Sequence, residues 1–278
     1  MSKPQIIILW VGVSSVVIFI MMATFYKANS YSSFNNEFTK NVILKQSTIK
    51  PNPDIVIIGN SLVALGFPGG ADLTSELKLH FNAKQFQRLT VLSASPYELE
   101  SLLSLALDQT PQIILIDITQ WILSSDIQTS LELTHHRYWL ENQFRYIFNL
   151  DIYRYNQSVK SEIGSLNNNS TNNVEKFKKF SPRLHKLSPQ LQSKLLQKNI
   201  KIFTYYPNWS TTAESIFGIQ NQLKLKQNAV DLTQKLNATL LASPASLPPS
   251  FYSDNIHVNS KGRTVYMEWL KAELGKQL

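Results

Sequence analysis

Two stretches restrict the fold more than anything else in this chain: DIVIIGNS (54–61) and PQIILIDITQW (111–121). Each carries an apolar run with no polar alternation. A strand wetted on one side would alternate, so these are strands buried on both faces, as in a parallel sheet covered by helices. The flanking segments agree. LTVLSAS (89–95) is another apolar run, and YELESLLSLALDQT (97–110) has apolar residues at helical spacing. SPQLQSKLLQKN followed by IKIFTYYP (188–207) predicts a helix and then a strand. TAESIFGIQNQLKLKQNAVDLTQKLNATLL (212–241) reads as one long helix and SKGRTVYMEWLKAEL (260–274) as the last. Strands alternating with helices predict an α/β fold with a parallel sheet covered on both sides.

Two regions fall outside this alternation. Residues 6–26, IIILWVGVSSVVIFIMMATFY, hold no charge, with Trp10 and Tyr26 toward the two ends. At ~1.5 Å per residue such a helix crosses a ~30 Å hydrocarbon core. A cleaved signal peptide has an apolar region of ~7–15 residues and a small-x-small site after it; this run is longer and only ANS follows. The expectation is a cytoplasmic tail at 1–5, an uncleaved transmembrane signal anchor at 6–26, a polar stalk at 27–50 and the body at 51–278. That arrangement puts the body outside the cytoplasm, on a bacterial inner membrane facing the periplasm or at the cell surface. Within the body the pattern breaks at about 125–187, where LELTHHRYWLENQFRYIFNLDIYRY reads as an aromatic-rich helix and SLNNNSTNNVEKFKKFSP (165–182) as a low-complexity loop. The stretch is expected to be an insertion, a lid or a membrane-facing cap.

The net charge is +8, but Lys and Arg are scattered, and the densest groups, EKFKKF (175–180) and LKLKQ (223–227), do not interleave arginines with aromatics. No nucleic-acid surface is expected. The absence of cysteine excludes disulfides, thiolate metal sites and a cysteine nucleophile. His135 and His136 are adjacent on a predicted helix and point in different directions, so no metal site is expected there; no cofactor is expected either.

A buried strand needs only to stop, yet the first one runs straight into Gly-Asn-Ser and presents Ser61 at the sheet edge. Serine is a weak nucleophile without a base, and the base needs a third group to fix its tautomer. Of five histidines, His80, His135, His136 and His185 lack an obvious acidic neighbour in sequence, whereas His257 in YSDNIHVNSKGRTVY (252–266) has Asp254 three residues before it. On a loop ahead of a helix that spacing lets the carboxylate fold back to the imidazole, with Ser260 expected as the helix N-cap. In open parallel sheets ligands bind at the carboxyl ends of the strands, where Ser61 is expected. Tyr205, Tyr206 and Trp209 follow a strand and suit a pocket or the core equally.

IIGNSL and DNIHVNSKG resemble the first and last sequence blocks of the SGNH (GDSL-type) hydrolases, over about 54–270 with the insertion excepted. The resemblance implies a flavodoxin-like three-layer α/β sandwich acting on esters. Ser61 would be the nucleophile, His257 the general base and Asp254 its orienting partner. The family also has a glycine after the second strand and an asparagine after the third, both donating to the oxyanion. Here Pro96, which has no N–H, falls at the first position and Trp121 near the second. Ser61, Ser95 and Gln120 are the candidate oxyanion donors. The altered middle blocks and single anchor resemble a divergent extracytoplasmic branch whose members act in O-acetylation of exopolysaccharides and D-alanylation of teichoic acids. The function so implied is a membrane-anchored serine esterase or O-acyltransferase on acyl esters of cell-envelope glycans or lipids. The alternative is a non-catalytic scaffold in an envelope polysaccharide assembly or export complex, with partner proteins there.

Overall fold

The computed structural model describes residues 53–78, 80, 81, 84–90, 94, 96–125, 177, 178 and 180–277, together with Ser14, Ser15 and Ile18. The first half runs β1 (Ile55–Gly59), α1 (Ser61–Gly66), α2 (Gly70–Leu77), β2 (Phe86–Thr90), α3 (Pro96–Asp108), β3 (Ile113–Asp117), α4 (Thr119–Ile122) and β4 (Leu123–Ser125). The second half runs β5 (Phe180–Pro182), α5 (Pro189–Leu196), β6 (Lys201–Tyr205), α6 (Thr211–Phe217), α7 (Ile219–Lys235), β7 (Thr239–Leu240), a 3-10 turn (Pro249–Phe251) and α8 (Ser260–Gly275).

The two apolar runs lie side by side at the centre of the sheet. Its order is β2-β1-β3-β6-β7, and neighbouring strands in it run parallel. All residues of β1 and β3 are buried, as their unbroken apolar pattern requires. Successive side chains leave by opposite faces. Val56, Ile58, Ile114 and Ile116 pack against α3, α5 and α7, while Ile55, Ile57, Ile113 and Leu115 pack against α1, α2 and α8. The body is therefore three layers, helices on both faces of a five-stranded sheet. Each such aliphatic side chain, fully buried, contributes on the order of 1.5–3 kcal/mol.

The side on which each helix lies follows from the handedness of crossovers. Parallel connections keep one hand. The step from β1 to β2 moves outward one way, and the steps from β2 to β3, β3 to β6 and β6 to β7 move the other way. A constant hand then puts α1 and α2 on one face and α3, α5 and α7 on the opposite one, as observed. The reversal of direction falls between β1 and β3, and the crevice at the carboxyl ends there is where such sheets hold ligands.

Several expectations change. The segment 212–241 is not one helix: Gly218, at φ 83°, separates α6 from α7, and the chain closes as the short strand β7. That φ is open to glycine and unfavourable for other residues. The second strand lies at 86–90, earlier than the run LTVLSAS, of which 91–93 and 95 lie outside the described residues. Phe180–Pro182, expected as loop, pairs antiparallel with β4, and Leu187 already belongs to the core. The rest of the insertion, 126–176, including His135 and His136, lies outside the described residues. So does the run 6–26 apart from Ser14, Ser15 and Ile18; among the described residues no helix is long and apolar enough to cross a membrane.

Candidate active site

Ser61 opens α1 directly after β1, and Asn60 caps that helix, its Oδ1 accepting from Leu62 N at 2.7 Å. The turn from strand to helix is tight. A Cβ on Gly59 would stand 2.2 Å from Val63 Cγ2 and 3.1 Å from Asp117 Cβ, so only glycine lets α1 fold back against β1 and β3. The far end of α1 is held by two guanidinium groups. Arg88 Nη1 of β2 donates to the carbonyls of Ala64, at 2.9 Å, and Phe67; Arg263 Nε of α8 donates to Leu65 O at 3.1 Å. Cations suit the carbonyl end of a helix. A helix of six residues, too short to be stable by itself, is thereby pinned at both ends.

The imidazole comes from the loop ahead of α8. Tyr252 and Val258 form an antiparallel bridge, Ser253 N donates to His257 O at 2.7 Å, and Asn255 at the tip adopts φ 69°. Asparagine tolerates that left-handed conformation better than most residues. Asp254 Oδ1 accepts from the amides of Ile256 (3.1 Å) and His257 (2.8 Å), so this carboxylate shapes its own loop. Ser210 anchors the tip to the body, its N donating to Asn255 O at 3.0 Å and its Oγ to Asn255 Oδ1 at 2.9 Å. Asn259, not Ser260, caps α8, accepting from Lys261 N and Gly262 N. Gly262 admits the close approach of the 3-10 turn, since a Cβ there would lie 2.4 Å from Phe251 O.

These constraints bring three of the expected residues together. Ser61 Oγ is 2.9 Å from His257 Nε2, and His257 Nδ1 is 2.8 Å from Asp254 Oδ2. Asp254 is 7% exposed. Burial alone would raise its pKa, but the imidazole hydrogen bond, the imidazolium charge and the two backbone amides outweigh burial and hold it below the usual carboxylate value. The carboxylate therefore stays charged at neutral pH, and its bond to Nδ1–H directs the Nε2 lone pair at Ser61. The arrangement can move a proton from Oγ to Nε2 and stabilise the imidazolium that results.

The oxyanion candidates are less gathered. Gln120 lies in the first turn of α4 at the end of β3, one strand over from Ser61. Ser95 lies outside the described residues. Pro96 begins α3, and its carbonyl accepts from the fully buried Trp121 indole at 2.9 Å. Trp121, the residue near the asparagine position, is thus a packing residue.

Two groups near this rim escaped sequence reasoning. Asp117 ends β3 beside Gly59, 1% exposed. Its Oδ1 accepts from Thr119 N (2.9 Å) and Thr119 Oγ1 (2.5 Å), while Oδ2 is buried without a partner. Burial pushes its pKa up to about 6 against the opposing pull of the Thr119 bonds. His185 has an acidic neighbour after all: Glu100 of α3, at 4.0 Å, which also accepts from Ser188 N. That pair comes from segments 85 residues apart, 100 and 185, and no local spacing signals it.

No protein-family model and no curated protein matches the chain. It is structurally similar, at low sequence identity, to GDSL-like lipases, acylhydrolases and acetylxylan esterases. A lipase/acylhydrolase from Enterococcus faecalis matches at 12% identity and TM-score 0.42, covering 81% of this chain and 97% of that one. An acetylxylan esterase from Geobacillus stearothermophilus matches at 10% identity and TM-score 0.43, covering 82% and 97%. A GDSL-like lipase from Bacteroides thetaiotaomicron matches at 10% identity and TM-score 0.38, covering 90% and 100%.

Proposed function

We propose that the chain is a serine esterase or O-acyltransferase of the SGNH type with a flavodoxin-like body, in which Ser61, His257 and Asp254 act as nucleophile, general base and orienting carboxylate. One observation carries this reading: a serine and an imidazole 196 residues apart lie at hydrogen-bond distance, 2.9 Å, with a buried carboxylate behind the imidazole. Structural chance rarely aligns three such groups at a switch-point crevice, and each is the residue type that acyl transfer needs.

In the proposed cycle, Ser61 Oγ attacks the acyl carbonyl as its proton passes to His257 Nε2. The tetrahedral intermediate collapses, the bond from the acyl carbon to the leaving oxygen breaks, and His257 returns the proton to that oxygen. The acyl group is then an ester of Ser61. Water or a sugar hydroxyl, deprotonated by His257, attacks it, and Ser61 recovers its proton. The N–H of Ser61 and the Gln120 amide are the proposed oxyanion donors. The uncharged run 6–26 supports a bilayer anchor, with the body in the periplasm or at the bacterial surface. The acyl esters of envelope glycans or lipids are the substrates within reach of such a protein.

A scaffold reading has one observation in its favour: Leu62 N–H is already taken by Asn60, and Pro96 has none to give, so among the described residues donors at the rim are few. Labelling separates the two. A fluorophosphonate probe is expected to mark the wild-type chain and to fail with Ser61→Ala and His257→Ala. A wild-type chain that neither takes the label nor releases p-nitrophenol from an acetyl ester would remove the enzyme reading.

A further inference from the structure

Beyond the proton relay, the same rim holds a pocket of about 200 Å³ built from residues that directly follow β3 and β6, among them Thr119, Tyr206, Pro207 and Trp209, with Phe217 and Leu223 beyond. We infer that this pocket receives the acyl chain of the ester, and that the chain it fits is of medium length, about six to eight carbons. The inference rests on the serine-ester reading above.

Three observations point to an apolar occupant and not to a sugar ring. First, apart from Lys226 at the exposed edge, the polar side chains in the wall are turned to the protein. Asn208 Nδ2 donates to Pro244 O at 2.8 Å and Gln222 Nε2 to Glu214 O at 2.8 Å. The Glu214 carboxylate accepts from Ser246 Oγ at 2.5 Å and from the Trp209 amide. A pyranose needs a fan of free donors and acceptors, and here both amide N–H groups and the Glu214 carboxylate are turned to the protein. Second, two large apolar side chains stand exposed at the mouth: Ile219 and Leu223, four residues apart on α7, are 63% and 55% exposed. Third, the size fits a chain. An engineered cavity of about 150 Å³ lined by aliphatic and aromatic side chains binds benzene, and each water-sized unit takes about 30 Å³, so 200 Å³ holds about six or seven such units.

Continuity with Ser61 comes from the sheet. β1, β3 and β6 are consecutive in it, so Tyr206 leaves the rim two strand spacings, about 10 Å, from the exit of β1. With C–C bonds of about 1.5 Å, about eight carbons cover that distance. Thr119 forms the near wall and is held there by Asp117. Trp209 and Ile256 pack in one cluster, so the pocket's floor and the His257 loop touch.

The test uses the full-length chain in lipid nanodiscs and a series of p-nitrophenyl esters from acetyl to decanoyl. For the wild type, kcat/KM is expected to rise about fourfold per methylene to about the hexanoyl or octanoyl ester and to level off beyond. Leu223→Trp, half-exposed and so harmless to folding, is expected to cut the octanoyl-to-acetyl ratio at least tenfold; Leu196→Trp, 83% exposed on α5, keeps the wild-type ratio. A second arm measures octanoate binding to the Ser61→Ala chain by calorimetry, empty nanodiscs subtracted, with and without Leu223→Trp. Ester turnover with a flat series and an unmoved ratio overturns the pocket and spares the serine reading. Octanoate binding that Leu223→Trp weakens, with no turnover of any ester, supports the pocket and removes the serine reading. No octanoate binding and no turnover overturn both.

Discussion

Asp117 gives the sharpest test of the physical reasoning, because its effect is read from stability and not from catalysis. It is fully buried, with one oxygen held by Thr119 and the other without a partner. Its pKa is raised from the ordinary 3.8 to about 6, burial being the main cause. The sign follows. Below about pH 3 both folded and unfolded chains carry the protonated acid. Between the ordinary value and about 6 the unfolded chain has released its proton and the folded chain has not, so rising pH favours unfolding. At ~1.36 kcal/mol per unit, a difference of about two units costs about 3 kcal/mol in all, and the loss is complete about one unit above the folded value, near pH 7. The assay is urea unfolding of wild type and Asp117→Asn from pH 4 to pH 8. Other titrating groups occur in both proteins and cancel in the difference. Relative to the variant, wild type is expected to lose about 2 kcal/mol between pH 4 and pH 6.5 and only a few tenths more above. A difference curve flat to within about 0.5 kcal/mol, or one in which wild type gains with pH, would refute the reasoning. It would mean that the Thr119 bonds, or water reaching Oδ2, hold the charged form after all.

Two further outcomes follow from the packing of the site. Asp254→Asn keeps the shape of the carboxylate but presents an amide to Nδ1, so acyl-ester turnover should fall about 10⁴-fold, as the corresponding change does in a serine protease, with the far-ultraviolet circular dichroism of wild type. Gly59→Ala drives a methyl to 2.2 Å from Val63 Cγ2; relief requires α1 to move, so the urea midpoint should show a loss of about 1–3 kcal/mol together with loss of fluorophosphonate labelling.

What the sequence made legible depended on how far each signal reached along the chain. Ser61 was readable because Gly-Asn-Ser follows a buried strand without a break, and Asp254 with His257 because their contact closes within one loop, through bonds to amides two and three residues away. The layered sheet was readable for the same reason: strands buried on both faces declare themselves over five residues. Gly218 stands inside the segment that reads as one long helix; only its positive φ shows that it ends one helix and starts another. Asp117 is the polar last residue of an otherwise apolar strand. Its burial comes from Gly59 beside it and from Tyr205 and Tyr266, whose hydroxyls are raised well above their ordinary range by burial first and by the Asp117 charge among the further causes. Residue pairs of that kind have no periodicity to betray them.

The same division of range explains how the candidate site is held. The hydrogen bonds that shape each half are local, but the 2.9 Å contact between Ser61 and His257 joins the first strand's exit to the last helix's entry. Nothing within either loop fixes that separation. Arg263 does span it: it sits one turn into α8, behind the His257 loop, and donates to Leu65 of α1. Arg88 holds the same end of α1 from β2. A nucleophile on a six-residue helix has little rigidity of its own, so the precision of the contact is inherited from guanidinium groups at the helix end remote from the serine, which is also why arginines that touch no reacting atom belong to the account of this site.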